Sequence, residues 1–165
     1  MKSYGDLNYI YLFKIYNSIN LTKNIFIFSV LIIFLAIQFA RPRHNISLEI
    51  PRNDFLVVTN ASDDIITIMK SSCYDCHSNN TDYPWYGEIA PISWWISYQI
   101  DKGKHDLNFS EWGAFSKNKR LHNLNKMIEI MEEKTMPVES YIQTHPKAKL
   151  SQEQNDQLIA WLGRI

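Results

Sequence analysis

Cysteine is scarce in this chain of 165 residues: there are two, Cys73 and Cys76, inside one short run. That leaves none over for a disulfide framework. An excess of charge of either sign is also missing, since 17 Lys and Arg face 17 Asp and Glu. A balanced chain recommends no nucleic-acid partner. No second Cys or His pair stands at metal-ligand spacing, which argues against a closed four-ligand zinc site. Clean alternation with a period of two is absent over any useful length, so half-buried strands are not expected. No repeat or low-complexity segment occurs.

What is there begins with Cys73-Tyr74-Asp75-Cys76-His77. A Cys-x-x-Cys-His run is the attachment site of a c-type haem. The two thiols add across the vinyl groups of the porphyrin, and the two-residue gap lets both sulfurs reach one ring edge. His77 then sits under the iron as its proximal ligand. A thioredoxin-like pair also reads Cys-x-x-Cys, but it follows a strand in a βαβ context that is missing here. The haem reading stands first, with a dithiol and a metal site behind it.

The second signal is an uncharged run from Ile25 to Ala40, preceded by Lys14 and Lys23 and followed by Arg41 and Arg43. At ~1.5 Å per residue it barely matches a bilayer core of ~30 Å, so flanking residues must help. Gln38 is poor at a small-residue cleavage position, which favours an uncleaved anchor over a signal peptide. Basic residues flank both ends, so charge alone does not orient the segment. Covalent haem attachment does, because it needs reduced thiols on the outer face of an energy-coupling membrane. The expected organisation is a cytoplasmic tail over residues 1–23, an anchor over 24–40, a tether over 41–60 broken by Pro42 and Pro51, and a haem domain over 61–165. Tyr9 to Tyr16 suits an interfacial helix, and Phe55-Leu56-Val57-Val58 suits packing on the domain edge.

Four helices are expected after the tether. The first runs from Asp63 to Cys76, capped by Ser62, with Ile65, Ile68, Met69 and Ser72 inward. The second starts at Pro91 and runs through Trp95, Ile96 and Ile100 toward Gly103. The third covers Lys119 to Lys134 with Leu121, Leu124, Ile128 and Met131 at helical spacing. The last begins at Ser151, where Gln154 completes a capping box, and buries Leu158, Ile159, Trp161 and Leu162. The fold class is all-α. Five Trp and nine Tyr offer more flat apolar surface than a small helical domain needs. Tyr83, Trp85, Trp94 and Trp95 are the candidates for packing on the haem, although any single ring serves equally well in an ordinary core.

The iron's second ligand decides between carrier and ligand-binder. Met69 lies one turn before Cys73 on the proximal side, and Met127 and Met131 hold core spacing, where Met commonly fills gaps. His44 is in the tether, and His122 falls off its helix's core stripe. Met136 follows the third helix and precedes Pro137, which pushes it into extended geometry. A thioether presented there suits a His/Met haem. His145 and His105, each in a loop, are the alternatives, as is an open sixth position.

Cys73-Tyr74-Asp75-Cys76-His77-Ser78, Tyr83-Pro84-Trp85-Tyr86, Ile89-Ala90-Pro91-Ile92-Ser93-Trp94-Trp95 and Leu107-Asn108-Phe109-Ser110-Glu111-Trp112 resemble the bacterial haem-binding-domain family. So do Met136-Pro137, Tyr141, His145-Pro146 and Leu150-Ser151 through Trp161, and the resemblance covers about residues 55 to 165. Members look like small membrane-anchored or secreted c-type cytochromes with a cytochrome c-like helical haem domain, and the resemblance implies haem binding. The family often has a Gly-Arg pair where this chain reads Gly103-Lys104. The expectation is a single-pass protein of the bacterial inner membrane carrying one covalent haem c in the periplasm. It would pass single electrons to a periplasmic redox partner after loading by the cytochrome c maturation machinery, as a carrier rather than a catalyst. Small-ligand binding, sensing or peroxidase-type activity at an open distal position is the alternative.

Overall fold

The apolar run near the N-terminus belongs to one long helix, α1 (Tyr4–Ile37). The computed structural model describes residues 4–47 and 51–165, with side chains before Asn20 described only for Ser18. The side chains from Tyr9 to Tyr16 lie outside the described residues. Within α1, Asn20–Ile37 is long and apolar enough to cross a membrane, and none of it is buried against the protein. Its rise is about 27 Å. The hydroxyls of Thr22 and Ser29 donate to the carbonyls of Ser18 and Ile25 at 2.9 and 2.8 Å. No polar hydrogen on those two side chains is therefore left facing an apolar solvent.

All the regular elements among the described residues are helical, and Ile46 and Asn80 make one isolated antiparallel bridge. After α1 come α2 (Phe55–Val58), α3 (Asp63–Ser72), α4 (Tyr74–His77), α5 (Ile92–Asp106), α6 (Lys117–Glu133), α7 (Glu139–Thr144) and α8 (Gln152–Leu162). Short 3-10 turns lie at Trp85–Glu88, Phe109–Ala114 and Pro146–Ala148. The all-α expectation holds. The expected first helix is two, because the backbone breaks at Cys73 (φ −128, ψ −39). Ser62 takes the N-cap position of α3 without a side-chain bond. The capping box of Ser151 and Gln154 forms as the sequence predicts.

The segment expected to act as a tether is instead built into the domain. Phe55 is fully buried, and its ring lies 4.5 Å from Trp112, 5.2 Å from Trp161 and 5.3 Å from Phe109. Farther back, Asn45 donates from its backbone N–H to the Tyr83 hydroxyl and from Nδ2 to the Ser78 carbonyl and the Thr81 hydroxyl, at 2.8 to 2.9 Å. Its Oδ1 accepts from Lys104 Nζ at 2.6 Å. Bonds from one residue to two separate elements leave a linker no freedom to swing.

Packing follows the expected stripes except on α6. Ile65, Ile68, Met69 and Ser72 are buried on α3, and Leu158, Trp161 and Leu162 on α8. On α6, Leu121 is exposed, while Asn123 and Met131 are the buried positions. The helix is rotated so that the row through Asn123, Met127 and Met131, four residues apart, faces α8, and Leu121 falls off that row.

One buried polar contact ties the pieces together. Asp54 is buried, its Oδ1 accepts from the Leu56 N–H at 3.0 Å, and the Tyr74 hydroxyl donates to it at 2.8 Å. Burial, and then the Asp54 carboxylate, hold the Tyr74 hydroxyl well above its usual range. Tyr74→Phe should therefore lower the unfolding free energy by about 1.5–3 kcal/mol, because it removes a bond to a charged group. A shift in the urea midpoint at constant slope would show it. The unfolded chain releases this proton near pH 10 and the folded chain keeps it, so stability should fall as pH rises above about 10. That fall should be shallower in Tyr74→Phe.

Candidate haem site

The geometry starts from His77, the last residue of α4. Its Nδ1 lies 3.0 Å from the Leu107 carbonyl oxygen. A carbonyl only accepts, so Nδ1 carries the proton and the lone pair is left on Nε2. That is the tautomer a metal-ligating imidazole needs, oriented by a backbone acceptor. Phe109, just beyond Leu107, sits 5.9 Å from the imidazole and stacks on Tyr74 at 5.2 Å. The orienting loop is held in turn: Asn108 Oδ1 accepts from the Ser110 N–H, and its Nδ2 donates to Asn79 and Glu111.

Two cavities meet at this histidine. The first, of about 140 Å³, is lined by Met69, Cys73, Leu107, Phe109, Asn123, Met127, Met131, Leu158 and Leu162, with His77, Asp106 and Met136. The second, of about 430 Å³, is lined by Cys76, Pro84, Tyr86, Ile92, Trp95, Ile96, Ile100, Gly103, Tyr141 and His145, again with His77, Asp106 and Met136. Cys73 borders one cavity and Cys76 the other, while His77 and Met136 border both. The divided space is a slot flanked by two thiols, with an imidazole and a thioether common to both halves.

Local sequence explains the slot's walls. Gly103 brings α5 tight against the motif: a Cβ there would sit 2.6 Å from the Cys76 carbonyl oxygen and 3.1 Å from its carbon. Only glycine lets the two backbones touch so closely. Met136 is delivered by the end of α6, where Lys134 takes the left-handed conformation (φ 55) and the Thr135 N–H returns to the Ile130 carbonyl at 3.2 Å. This reversal turns the chain back across the helix end. Met136 stays 39% exposed.

The thiols are not joined to each other. Burial, and then the neighbouring Cys76, push the Cys73 thiol up to about 12. Burial, with Asp75 beside it, pushes Cys76 up to about 11. A dithiol that exchanges disulfides needs the reverse, a thiolate stabilised below the usual ~8.5. The environment argues against that chemistry.

The residues present fit a haem. The walls are predominantly apolar, and each half of the slot has one buried polar atom with no protein partner: Asn123 Nδ2 in the first and the Tyr86 hydroxyl in the second. An orphaned buried donor costs about 1–3 kcal/mol, so a bound group that accepts a hydrogen bond is what such atoms suit. Lys126 and Lys102 border the first and second cavities and supply cations for carboxylate-bearing substituents. Beside Cys76, Asp75 accepts from the Tyr141 hydroxyl at 2.5 Å and from the Asp82 N–H at 2.9 Å. Burial, and then Asp75, raise the Tyr141 hydroxyl above its usual range.

The sequence-selected residues do not all reach the slot. Of the four aromatics expected against the ring, Trp95 borders it and Tyr83, Trp85 and Trp94 do not. Tyr83 is occupied by the Asn45 N–H and stacks on His44 at 4.7 Å. Trp85 is 78% exposed on its 3-10 turn. Trp94 turns its indole N–H to the Ala40 carbonyl. Among the alternative ligands, His145 borders the second cavity, stacked on Tyr141 at 4.2 Å. His105 borders neither, its side chain 90% exposed beside Asp106. Lys104 also points elsewhere, to Asn45. Sequence reasoning missed Tyr86, Asn123, Lys102 and Lys126, and assigned Met127 and Met131 to the core alone. No sequence signal marked Asn123, which lies off the expected stripe of Leu121, Leu124, Ile128 and Met131 and is buried only by the rotation of α6.

Comparison with known proteins follows this geometry. Residues 32–164 match the haem-binding domain family, and the chain belongs to it. It is also 26% identical over 100 residues to the cytochrome c peroxidase Ccp of Escherichia coli (strain K12). That match covers 59% of this chain and 22% of the peroxidase's length. No solved structure matches the chain at a significant level. Haem binding is thus the function shared by the family, the slot and the motif.

The contact at Gly103 is testable. Gly103→Ala must separate α5 from the motif, at the 1–3 kcal/mol typical of overpacking. The expected outcome is a lower melting temperature and a smaller fraction of haem-loaded protein, read from the ratio of Soret to protein absorbance.

Proposed function

We propose that this protein is a membrane-anchored monohaem c-type cytochrome that passes single electrons on the periplasmic side of the bacterial inner membrane. The observation that carries the reading is the His77 tautomer, set by Leu107 inside a Cys-x-x-Cys-His run whose thiols flank the same slot. Bound haem supplies the redox chemistry, an iron that changes oxidation state by one electron. The chain supplies the rest. Cys73 and Cys76 would hold the haem covalently, each through a thioether. His77 would offer Nε2 to the iron, and Met136 its sulfur as a second ligand. The apolar walls exclude water, which keeps reorganisation on electron transfer small.

Met136 is favoured over His145 because it borders both halves of the slot with His77, whereas His145 borders one. A thioether favours ferrous iron, so a His/Met pair sets a higher potential than a His/His pair. Helix α1 would be the anchor and the residues before its apolar part a short cytoplasmic tail. The redox partner would be a periplasmic protein, and haem would be loaded by the cytochrome c maturation machinery. Likeness to a cytochrome c peroxidase supports a second reading, in which the sixth position opens to a small ligand.

Three measurements separate these readings. Haem in the wild type should survive acid–acetone extraction, and Cys73→Ala with Cys76→Ala should make it extractable; extractable wild-type haem would overturn covalent attachment. Met136→Ala should convert a low-spin spectrum largely to high-spin and admit carbon monoxide, whereas Met136→His should stay low-spin with a lower potential. A wild type that is already high-spin and takes up carbon monoxide would favour the ligand-binding reading. Protein made in the cell should keep its N-terminus and stay with membranes after carbonate washing, and a soluble form starting near Arg41 would overturn the anchor.

A further inference from the structure

We infer that the start of α5, with the 3-10 turn before it, rests in the headgroup layer of the bilayer that α1 enters, so that the domain sits on the membrane. This rests on α1 being an inserted anchor.

The junction is rigid and short. Gln38, one residue past α1, donates from Nε2 to the Ala90 carbonyl and accepts from the Ala90 N–H through Oε1, both at 3.0 Å. This paired side-chain-to-backbone contact locks the top of the span to the residues that open α5. Two residues on, the Ala40 carbonyl accepts from the Trp94 indole N–H at 2.5 Å. Glu88 in the 3-10 turn adds His44 at 3.0 Å and Arg41 at 3.8 Å. Glu88, Ala90 and Trp94 are therefore held against residues 38–44, where an apolar span of about 27 Å ends. Trp85 and Tyr98 flank them in sequence and bound the segment 85–98.

What that segment exposes is interfacial in kind. Of the five tryptophans, Trp112 and Trp161 are buried in the core, and the other three are exposed and all lie between residues 85 and 95. Trp85 is 78% exposed, Trp95 49%, and Tyr98, one turn on from Trp95, 63%. Scattered exposed apolar residues mean little. A cluster of Trp and Tyr at the end of a membrane span has a specific solvent, because amphipathic rings prefer the headgroup level to either water or hydrocarbon. A hollow beside it is lined by Leu35, Gln38, Phe39 and Arg41, and the Arg41 guanidinium, 3.8 Å from Glu88, also suits a lipid phosphate. Ile92 and Trp95 also border the larger half of the haem slot, so that half opens toward the headgroups.

The test uses the full haem-loaded chain in nanodiscs of phosphatidylcholine and phosphatidylglycerol that carry a diazirine near the glycerol backbone. After irradiation, lipid adducts are mapped by mass spectrometry. Adducts on residues 20–37 report insertion, and adducts on residues 85–98 report the seated face. Labelling of both, with α6 and α8 unlabelled, is the expected result. Labelling of 20–37 alone would overturn the seated face and leave the anchor standing, whereas labelling of neither would overturn both. Trp85→Gln with Tyr98→Gln should keep the haem spectrum and the label on 20–37 while losing most of the label on 85–98. Unchanged label on 85–98 in that variant would show that these rings do not hold the domain down, which also overturns the proposal.

Discussion

The hydrogen bond from His77 Nδ1 to the Leu107 carbonyl, at 3.0 Å, joins the two parts of the chain that must agree for the site to exist. One part is the motif at the end of α4, and the other is the turn that follows α5. The bond sets the tautomer, and the tautomer leaves the lone pair on Nε2. Its acceptor is backbone, so no side-chain substitution at residue 107 removes it directly. The turn itself is held by Asn108 and by Phe109 stacked on Tyr74. Around it, the buried Asp54–Tyr74 pair and the Phe55 aromatic cluster make α2, α3, α4 and the Phe109 turn one packed unit.

The same economy governs the thiols. Burial raises both Cys73 and Cys76, which holds them as neutral thiols. A redox dithiol would need a cation or a helix N-terminus close by to stabilise the thiolate. Here the nearest charge to Cys76 is the Asp75 carboxylate, which acts in the opposite direction. One local environment therefore argues against disulfide exchange and leaves the sulfurs to border the two halves of a single slot. The family and the motif agree with that arrangement, which is why haem binding is the statement all lines share.

The linker between helix and domain shows how a polar segment becomes structure. Pro42 and Pro51 break helix, and a sequence of that composition reads as flexible. Asn45 does much to override it, because its side-chain N–H and backbone N–H find acceptors on the motif loop while its Oδ1 accepts from Lys104. Gln38, Ala40 and His44 add contacts of their own. The Lys104 amine is used to clasp the linker, not to face the slot. The placement of the domain against the apolar helix follows from these contacts, not from the length of the linker.

The sequence by itself determined the chemistry and the class of fold. A five-residue motif points to haem because its spacing is local, and the helical stripes of α3 and α8 name their buried faces because a period of 3.6 is local too. The capping box at Ser151 is read from four residues. Only the tertiary structure decided the remainder, because those features join residues that no local pattern relates. The rotation of α6 that buries Asn123 and exposes Leu121 depends on where α8 lies. Trp85 and Trp94 face solvent or the end of α1, and Tyr86 takes the place in the slot that composition alone offered equally to each ring. His105 and His145 look alike as loop histidines in sequence, yet packing leaves one in water and sets the other at the slot. Long-range placement costs chain entropy that only the assembled core offsets, so it is written in contacts and not in any short run of residues.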